Sequence, residues 1–258
     1  MSQRLANKTM LITGGGNGIG REVAVRFGAE GARVVSLDAD EAGNAQTASL
    51  IGELGGKCDP VQGDVSVAVD TERAFHIAGR VDILINNAAV VSGDGFLHKV
   101  TEQDWEHVVD VCLKGVFLCC RQALHGMMEQ RSGVIINMSS VNALTGIHLA
   151  AYTAAKGGMV SLTRLLAYQY GQFGIRINAI CPGTILTEST RQHYAEHPET
   201  EAELRTLYPA KTFGTPADIA ECALYLCSDQ AGFINGSVIV IDGGLVAGHR
   251  IPSLFKSF

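Results

Sequence analysis

A run of glycines between a strand and a helix constrains this chain more than any other feature. Lys8-Thr9-Met10-Leu11-Ile12-Thr13 reads as a strand, Gly14-Gly15-Gly16-Asn17-Gly18-Ile19-Gly20 as a tight turn, and Arg21 to Glu30 as a helix. Strand, glycine turn, helix is the context that a dinucleotide-phosphate loop requires. The glycines let the backbone approach a pyrophosphate, and the helix N-terminus offers it free N–H groups and a positive dipole end. The next strand, Arg33-Val34-Val35-Ser36-Leu37-Asp38, ends on an acid 18 residues beyond Gly20. An acid at about that distance accepts hydrogen bonds from the adenosine ribose hydroxyls, and its charge repels a 2′-phosphate. The expected cofactor is therefore NAD rather than NADP. The other use of Asp38 is as a helix N-cap, because Asp40 and Glu41 follow it.

A second constellation lies in the middle of the chain. Tyr152 and Lys156 are four residues apart in Ala151-Tyr152-Thr153-Ala154-Ala155-Lys156. That spacing puts both side chains on one face of a helix. A free phenol ionises near pH ~10 and is a poor base at neutral pH. An adjacent ammonium favours the phenolate and is expected to lower that value, so the pair reads as a general acid/base. Ser140 precedes Tyr152 by 12 residues and follows an apolar strand, Val134-Ile135-Ile136-Asn137-Met138. A hydroxyl at the carboxyl end of a strand lies on the ligand-binding edge of a parallel sheet. Ser140 is preferred over its neighbour Ser139 as the group that holds a substrate oxygen.

Apolar runs alternate with helical segments along the whole chain. Strands are expected near 8–13, 33–38, 58–63, 81–86, 133–139, 175–181 and 236–241, and helices near 18–30, 40–54, 67–79, 104–129, 150–170 and 216–229. This alternation implies one α/β domain over 1–258, with about seven parallel strands and helices on both faces. Thr101 to Asp104 reads as a capping box with aspartate for the usual glutamate, and Gly171 and Gly174 end the helix that carries Tyr152. The net charge of −6 argues against a nucleic-acid partner, which needs a basic face. No apolar run reaches the ~18 residues of a membrane span. The fold begins within ten residues of Met1, leaving no room for a signal peptide. The seven cysteines show neither a disulfide framework nor zinc spacing. The expected setting is cytoplasmic and the expected metal is none.

With these residues assembled, the chain resembles the short-chain dehydrogenase/reductase family from about Lys8 to Gly244. The resemblance implies a doubly wound Rossmann-type fold. It rests on Thr13-Gly14 through Gly18-Ile19-Gly20, Gly63-Asp64-Val65, Asn86-Asn87-Ala88-Ala89, Ser140, Tyr152 and Lys156, Pro182-Gly183-Thr184-Ile185-Leu186-Thr187, and Ile241-Asp242-Gly243-Gly244. It implies that the cofactor meets Gly14, Asn17, Gly18, Ile19, Gly20, Asp38, Asp64, Val65, Asn87, Ala88, Tyr152, Lys156, Pro182, Gly183, Ile185 and Thr187. Ala89 replaces the glycine usual in the family. Cys112 stands where the family usually has asparagine, the fourth catalytic position, which helps hold a water joining the lysine to solvent. A thiol is a weak donor and acceptor, so that relay would have to use the backbone carbonyl.

The implied activity is hydride transfer between a secondary alcohol and a ketone. Tyr152 would move the hydroxyl proton, Ser140 would fix the oxygen, and Lys156 would support the phenolate and bind the nicotinamide ribose. Leu186 to Phe213 resembles a variable substrate lid, and Asn142, His148 and His193 are the expected substrate contacts. A polar small alcohol (a sugar, polyol or hydroxy acid) is preferred. The alternatives are a 3-oxoacyl-thioester reductase, a hydroxysteroid dehydrogenase, and an NAD-binding regulator without turnover. The helices near 104–129 and 150–170 are apolar over more than one stripe, which together with the family's habit predicts a homotetramer. The tail, residues 245–258, carries Ile251, Leu254, Phe255 and Phe258 to pack on its own domain or on another subunit.

Overall fold

The computed structural model describes residues 3–248, so the apolar tail residues Ile251, Leu254, Phe255 and Phe258 lie outside the described part. Seven strands form one sheet in the order β3-β2-β1-β4-β5-β6-β7. They are β1 (Thr9–Thr13), β2 (Arg33–Asp38), β3 (Lys57–Gln62), β4 (Ile83–Asn86), β5 (Gly133–Met138), β6 (Ile175–Pro182) and β7 (Val238–Ile241). Every pairing is parallel. Each strand falls within two residues of its expected limits, because a sheet covered on both faces needs apolar residues at nearly every position.

Strict alternation divides the strand side chains between two cores. Met10, Ile12, Val34, Ile83, Ile85 and Ile136 face α1 (Gly18–Ala29), α2 (Glu41–Glu53) and α9 (Pro216–Cys227). Leu11, Val35, Leu84, Ile135 and Ile177 face α3 (Ala68–Ala78), α5 (Gly115–Gln130) and α6 (Ala150–Tyr170). Phe27 of α1 is the largest side chain wholly removed from water. Full burial of such a ring is worth about 1.5–3 kcal/mol. Between β4 and β5 the register sets Asn86 beside Asn137. Asn86 donates to Asn137 (2.8 Å), and Asn137 donates to Thr163 of α6 (2.8 Å), so a polar thread ties the sheet to the helix that carries Tyr152.

Three local expectations need correction. The helix expected near 104–129 starts at Glu102 and runs to Gln130 as α4 (Glu102–Val109), a π-helical turn (Asp110–Lys114) and α5. Periodicity read over tens of residues does not reveal a single widened turn. The capping box at Thr101 is only half formed. Thr101 Oγ1 accepts from Asp104 N (3.1 Å), but the Asp104 carboxylate takes the Thr101 hydroxyl (2.6 Å). A reciprocal box forms instead at Thr215 and Asp218. The lid stretch contains two helices, α7 (Glu188–Glu196) and α8 (Pro198–Leu207). The helix through Tyr152 ends at Gly171, and Gly174 takes a left-handed conformation after one 3-10 turn.

Candidate active site

In an open parallel sheet, ligands bind beyond the carboxyl ends of the strands, where the strand order reverses. Here the reversal lies between β1 and β4. A cavity of about 580 Å³ opens at that edge, within the range of small-molecule sites. The end of each strand from β1 to β6, or the turn just after it, contributes to its wall: Gly14, Asp38, Asp64, Asn87, Ser140 and Pro182 in turn. Every residue expected to hold the cofactor lines this one cavity.

The glycine turn is braced from behind. Its carbonyl oxygens accept from side chains, Gly14 from Asn87 (2.8 Å), Gly15 from Thr47 (2.8 Å) and Gly16 from Arg21. Thr13 Oγ1 accepts from the N–H groups of Asn87 and Ala88 (3.1 Å each), so the turn is locked to the end of β4. Gly18 has φ +50°, and a β-carbon there would lie 3.0 Å from Thr187 Cγ2. A side chain at that point would fill the narrow space between the turn and the segment after β6. The N-terminus of α1 carries no side-chain cap and no acid in its first turn. Unsatisfied N–H groups and a positive dipole end suit a pyrophosphate. Asp38 is held by Gly16 N (2.7 Å) and Asp40 N (2.9 Å), and Asp40, rather than Asp38, is the N-cap of α2. The donor set therefore fits a dinucleotide, phosphates at the turn and ribose at Asp38.

At the other end of the cavity stand Ser139, Ser140, Tyr152 and Lys156. The two serines differ in their bonding. Ser139 Oγ donates to the Lys156 carbonyl (3.0 Å) and so braces α6 against β5. Ser140 lines the cavity with Tyr152, its hydroxyl donating to Asn142 Oδ1 (3.2 Å). Lys156 is 1% exposed; its Nζ donates to Met138 O (2.6 Å) and lies 5.3 Å from the centre of the Tyr152 ring. The expected lowering of the phenol by this cation is overturned. Burial pushes the Tyr152 phenol above its ordinary value, the neighbouring Cys112 and Cys181 add to this, and the Ser140 hydroxyl opposes it. Burial likewise pulls the Lys156 ammonium below its usual value. Desolvation disfavours both charged forms and is the largest cause of each shift.

Four expected site residues do not line the cavity. Cys112 is wholly buried in the π-helical turn, packed with Val108, Ala151 and Ala155. Its thiol accepts from Val90 N and donates to Val90 O, both at 3.5 Å, and Val90 does line the cavity. Asn142 is 8% exposed and serves Ser140: its amide oxygen accepts from the Ser140 hydroxyl and its N–H donates back, both at 3.2 Å. His148 is exposed. His193 is exposed too and rests against His197, 4.8 Å between ring centres. Thr190 and Tyr194 of the same helix face the cavity instead. They are four apart and one turn beyond Thr187, so helical phase counted from Thr187 identifies them. Val90, His107 and Val111 also line the wall and were missed from sequence. Tyr194 stacks on Phe213 (5.5 Å), which meets Tyr208 edge-on (5.2 Å), and Leu186, Leu204 and Leu245 pack around them.

The profile of the enoyl-(acyl carrier protein) reductase family matches residues 14–246. The chain is 39% identical over 255 residues to 2-(S)-hydroxypropyl-CoM dehydrogenase 3 of Xanthobacter autotrophicus, covering 96% of this chain and 100% of that protein. It is 40% identical over 252 residues to 3beta-hydroxysteroid dehydrogenase 1 of Eggerthella lenta, covering 95% and 96%. Among solved structures, that of levodione reductase superposes with a TM-score of 0.89 at 36% identity, covering 95% of this chain and 100% of that one.

Proposed function

The chain belongs to the short-chain dehydrogenase/reductase family, an oxidoreductase acting on CH–OH groups, and from that premise we propose that it interconverts a neutral secondary alcohol and its ketone with NAD. One observation carries the reading: a single cavity joins Asp38 and the uncapped turn to Ser140, Tyr152 and Lys156. A nicotinamide dinucleotide, when bound, supplies the hydride acceptor or donor. Asp38 binds the adenosine ribose and disfavours a 2′-phosphate. Ser140 holds the substrate oxygen, oriented by Asn142. Tyr152 gives its proton to that oxygen in reduction and takes it back in oxidation. Its burial favours the protonated form, so the phenol is loaded as an acid at neutral pH. Lys156 sets the charge beside it. Cys112 acts through Val90 and the shape of the π-helical turn rather than by touching substrate.

Lys156, Asp38, Asp64 and His107 are the charged or titratable side chains, tyrosines apart, that line the cavity among the described residues. No arginine among the described residues stands there to pair with a carboxylate or sulfonate, and Arg191 of the lid is exposed. That supports a neutral polyol, sugar or cyclic ketone over a hydroxy acid. Residues 186–213 act as the substrate lid through Thr190 and Tyr194. The likeness to solved 3-oxoacyl-(acyl-carrier protein) reductases, 33% identical, supports reduction of an acyl-thioester ketone as a second reading.

The test is NADH formation by the wild type and Tyr152→Phe across sugars, polyols, cyclic alcohols, hydroxy acids, steroid alcohols and 3-hydroxyacyl thioesters, with NADP in parallel. Neutral alcohols should turn over with NAD. Tyr152→Phe should lose about 10²–10⁴-fold in kcat, with NADH binding nearly intact. Retained turnover in the variant would remove Tyr152 from its role. Tight NADH binding with no turnover of any substrate would point to a regulator.

A further inference from the structure

The helix that carries Tyr152 has no cap of its own. Leu149 occupies its N-cap position, and its first turn contains no acid. An uncapped N-terminus leaves N–H groups without partners, and here the third helical residue is Tyr152 itself. The partners come from the loop after β4. Gly95 O accepts from Ala150 N (3.1 Å), Asp94 Oδ1 from Ala151 N (3.1 Å), and Asp94 Oδ2 from Tyr152 N (2.8 Å). Asp94 Oδ1 also accepts from Gly95 N (2.8 Å), which fixes the carboxylate on its own backbone. The first three helical N–H groups are thus satisfied in order by two consecutive residues some 57 positions upstream.

The loop is anchored in turn. Gly93 has φ +77°, and a β-carbon on it would collide with the Asp104 carboxylate. Asp104 is itself tied to Thr101 at the start of α4. The line of contacts runs from α4 through Gly93 and Asp94 to the backbone of Tyr152. A carboxylate at a helix N-terminus makes charge-assisted bonds and complements the dipole. A carboxylate whose second oxygen sits on the amide of the reacting tyrosine fixes where that residue's backbone lies. Displacements near 1 Å at a reacting group cost about 10²-fold in rate.

We propose that Asp94 is a positioning residue: its carboxylate, delivered from the loop after β4, sets the place of Tyr152 in the cavity by holding the first turn of the catalytic helix. This rests on the role of Tyr152 given above. The test compares wild type, Asp94→Ala and Asp94→Asn in turnover, cofactor binding and amide hydrogen exchange, well below each protein's melting temperature. In Asp94→Ala, kcat should fall about 10- to 100-fold while the Kd for NADH changes less than about twofold. The Ala151 and Tyr152 amides should exchange faster. Asp94→Asn keeps acceptor oxygen and should recover part of the rate, and it remains informative if the alanine variant fails to fold. A normal kcat with only a lowered melting temperature would reduce Asp94 to a stabilising cap and overturn the proposal. Unchanged exchange at Ala151 and Tyr152 would overturn it even if no substrate is turned over, a result that would count separately against the dehydrogenase reading.

Discussion

Tyr152 shows how burial reshapes a familiar side chain. Its folded-state phenol titrates above its unfolded value because ionisation in the cavity wall is costly. The sign for stability follows. Both states are protonated below pH ~10, and the contribution is fully present there. As pH rises past ~10, the unfolded chain gains by ionising while the folded one resists, so stability falls toward the folded value. Tyr152→Phe removes this contribution. Urea unfolding between pH 8 and 11 should show a shallower alkaline loss of stability in the variant than in the wild type. Parallel curves would mean that the phenol is not held neutral. Lys156 acts in the opposite sense, because burial lowers its value and stability gained there rises with pH. Two neighbouring groups thus each resist charge, with opposite effects on how stability varies with pH.

At the scale of elements, the segment after β6 is held by a phenol. Tyr208, 3% exposed, accepts from Thr184 N (2.7 Å) and donates to Thr184 Oγ1 (2.8 Å). A parallel bridge between Ile185 and Gly214 and a bond from Thr190 to Ile185 O (2.8 Å) brace the same segment. Tyr208→Phe keeps the ring contacts and leaves the Thr184 amide without its acceptor. The expected loss is about 1–3 kcal/mol of stability, read by thermal or chemical unfolding, together with a raised KM for substrate. An unaltered melting curve and KM would show that Thr184 holds its place without Tyr208. Much of this architecture was legible in the sequence. The strands announced themselves because both faces of the sheet are buried, and the glycine turn because few other contexts place so many glycines between a strand and a helix. What was not legible depended on orientation. His193 and Tyr194 are adjacent and equally plausible by chemistry, yet only helical phase decides which one meets the cavity. Asp94 carries no local motif, because its partners lie on another element.

For the whole molecule, assembly is the open dimension. Phe117 of α5 is 48% exposed, and Leu165 and Tyr168 of α6 are 51% and 89% exposed. These helices cover the same face of the sheet, and their outward apolar residues suit a self-complementary contact. The proposed homotetramer should appear as a single species near four times the chain mass in light scattering. Tyr168→Glu should shift it to a smaller species. A wild type that runs as a monomer across concentrations would refute the assembly.

The cavity takes its wall from the ends of six strands and the turns just after them, while the lid comes from one later excursion of the chain, α7 and α8. On the proposed function, chemistry and choice of substrate are thus inherited through different stretches of the gene. Changes at Thr190 and Tyr194 of α7 would then retune what enters without disturbing the sheet that holds Asp38, Ser140 and Tyr152. A lineage built this way can diversify its substrates one helix at a time while its reaction stays constant.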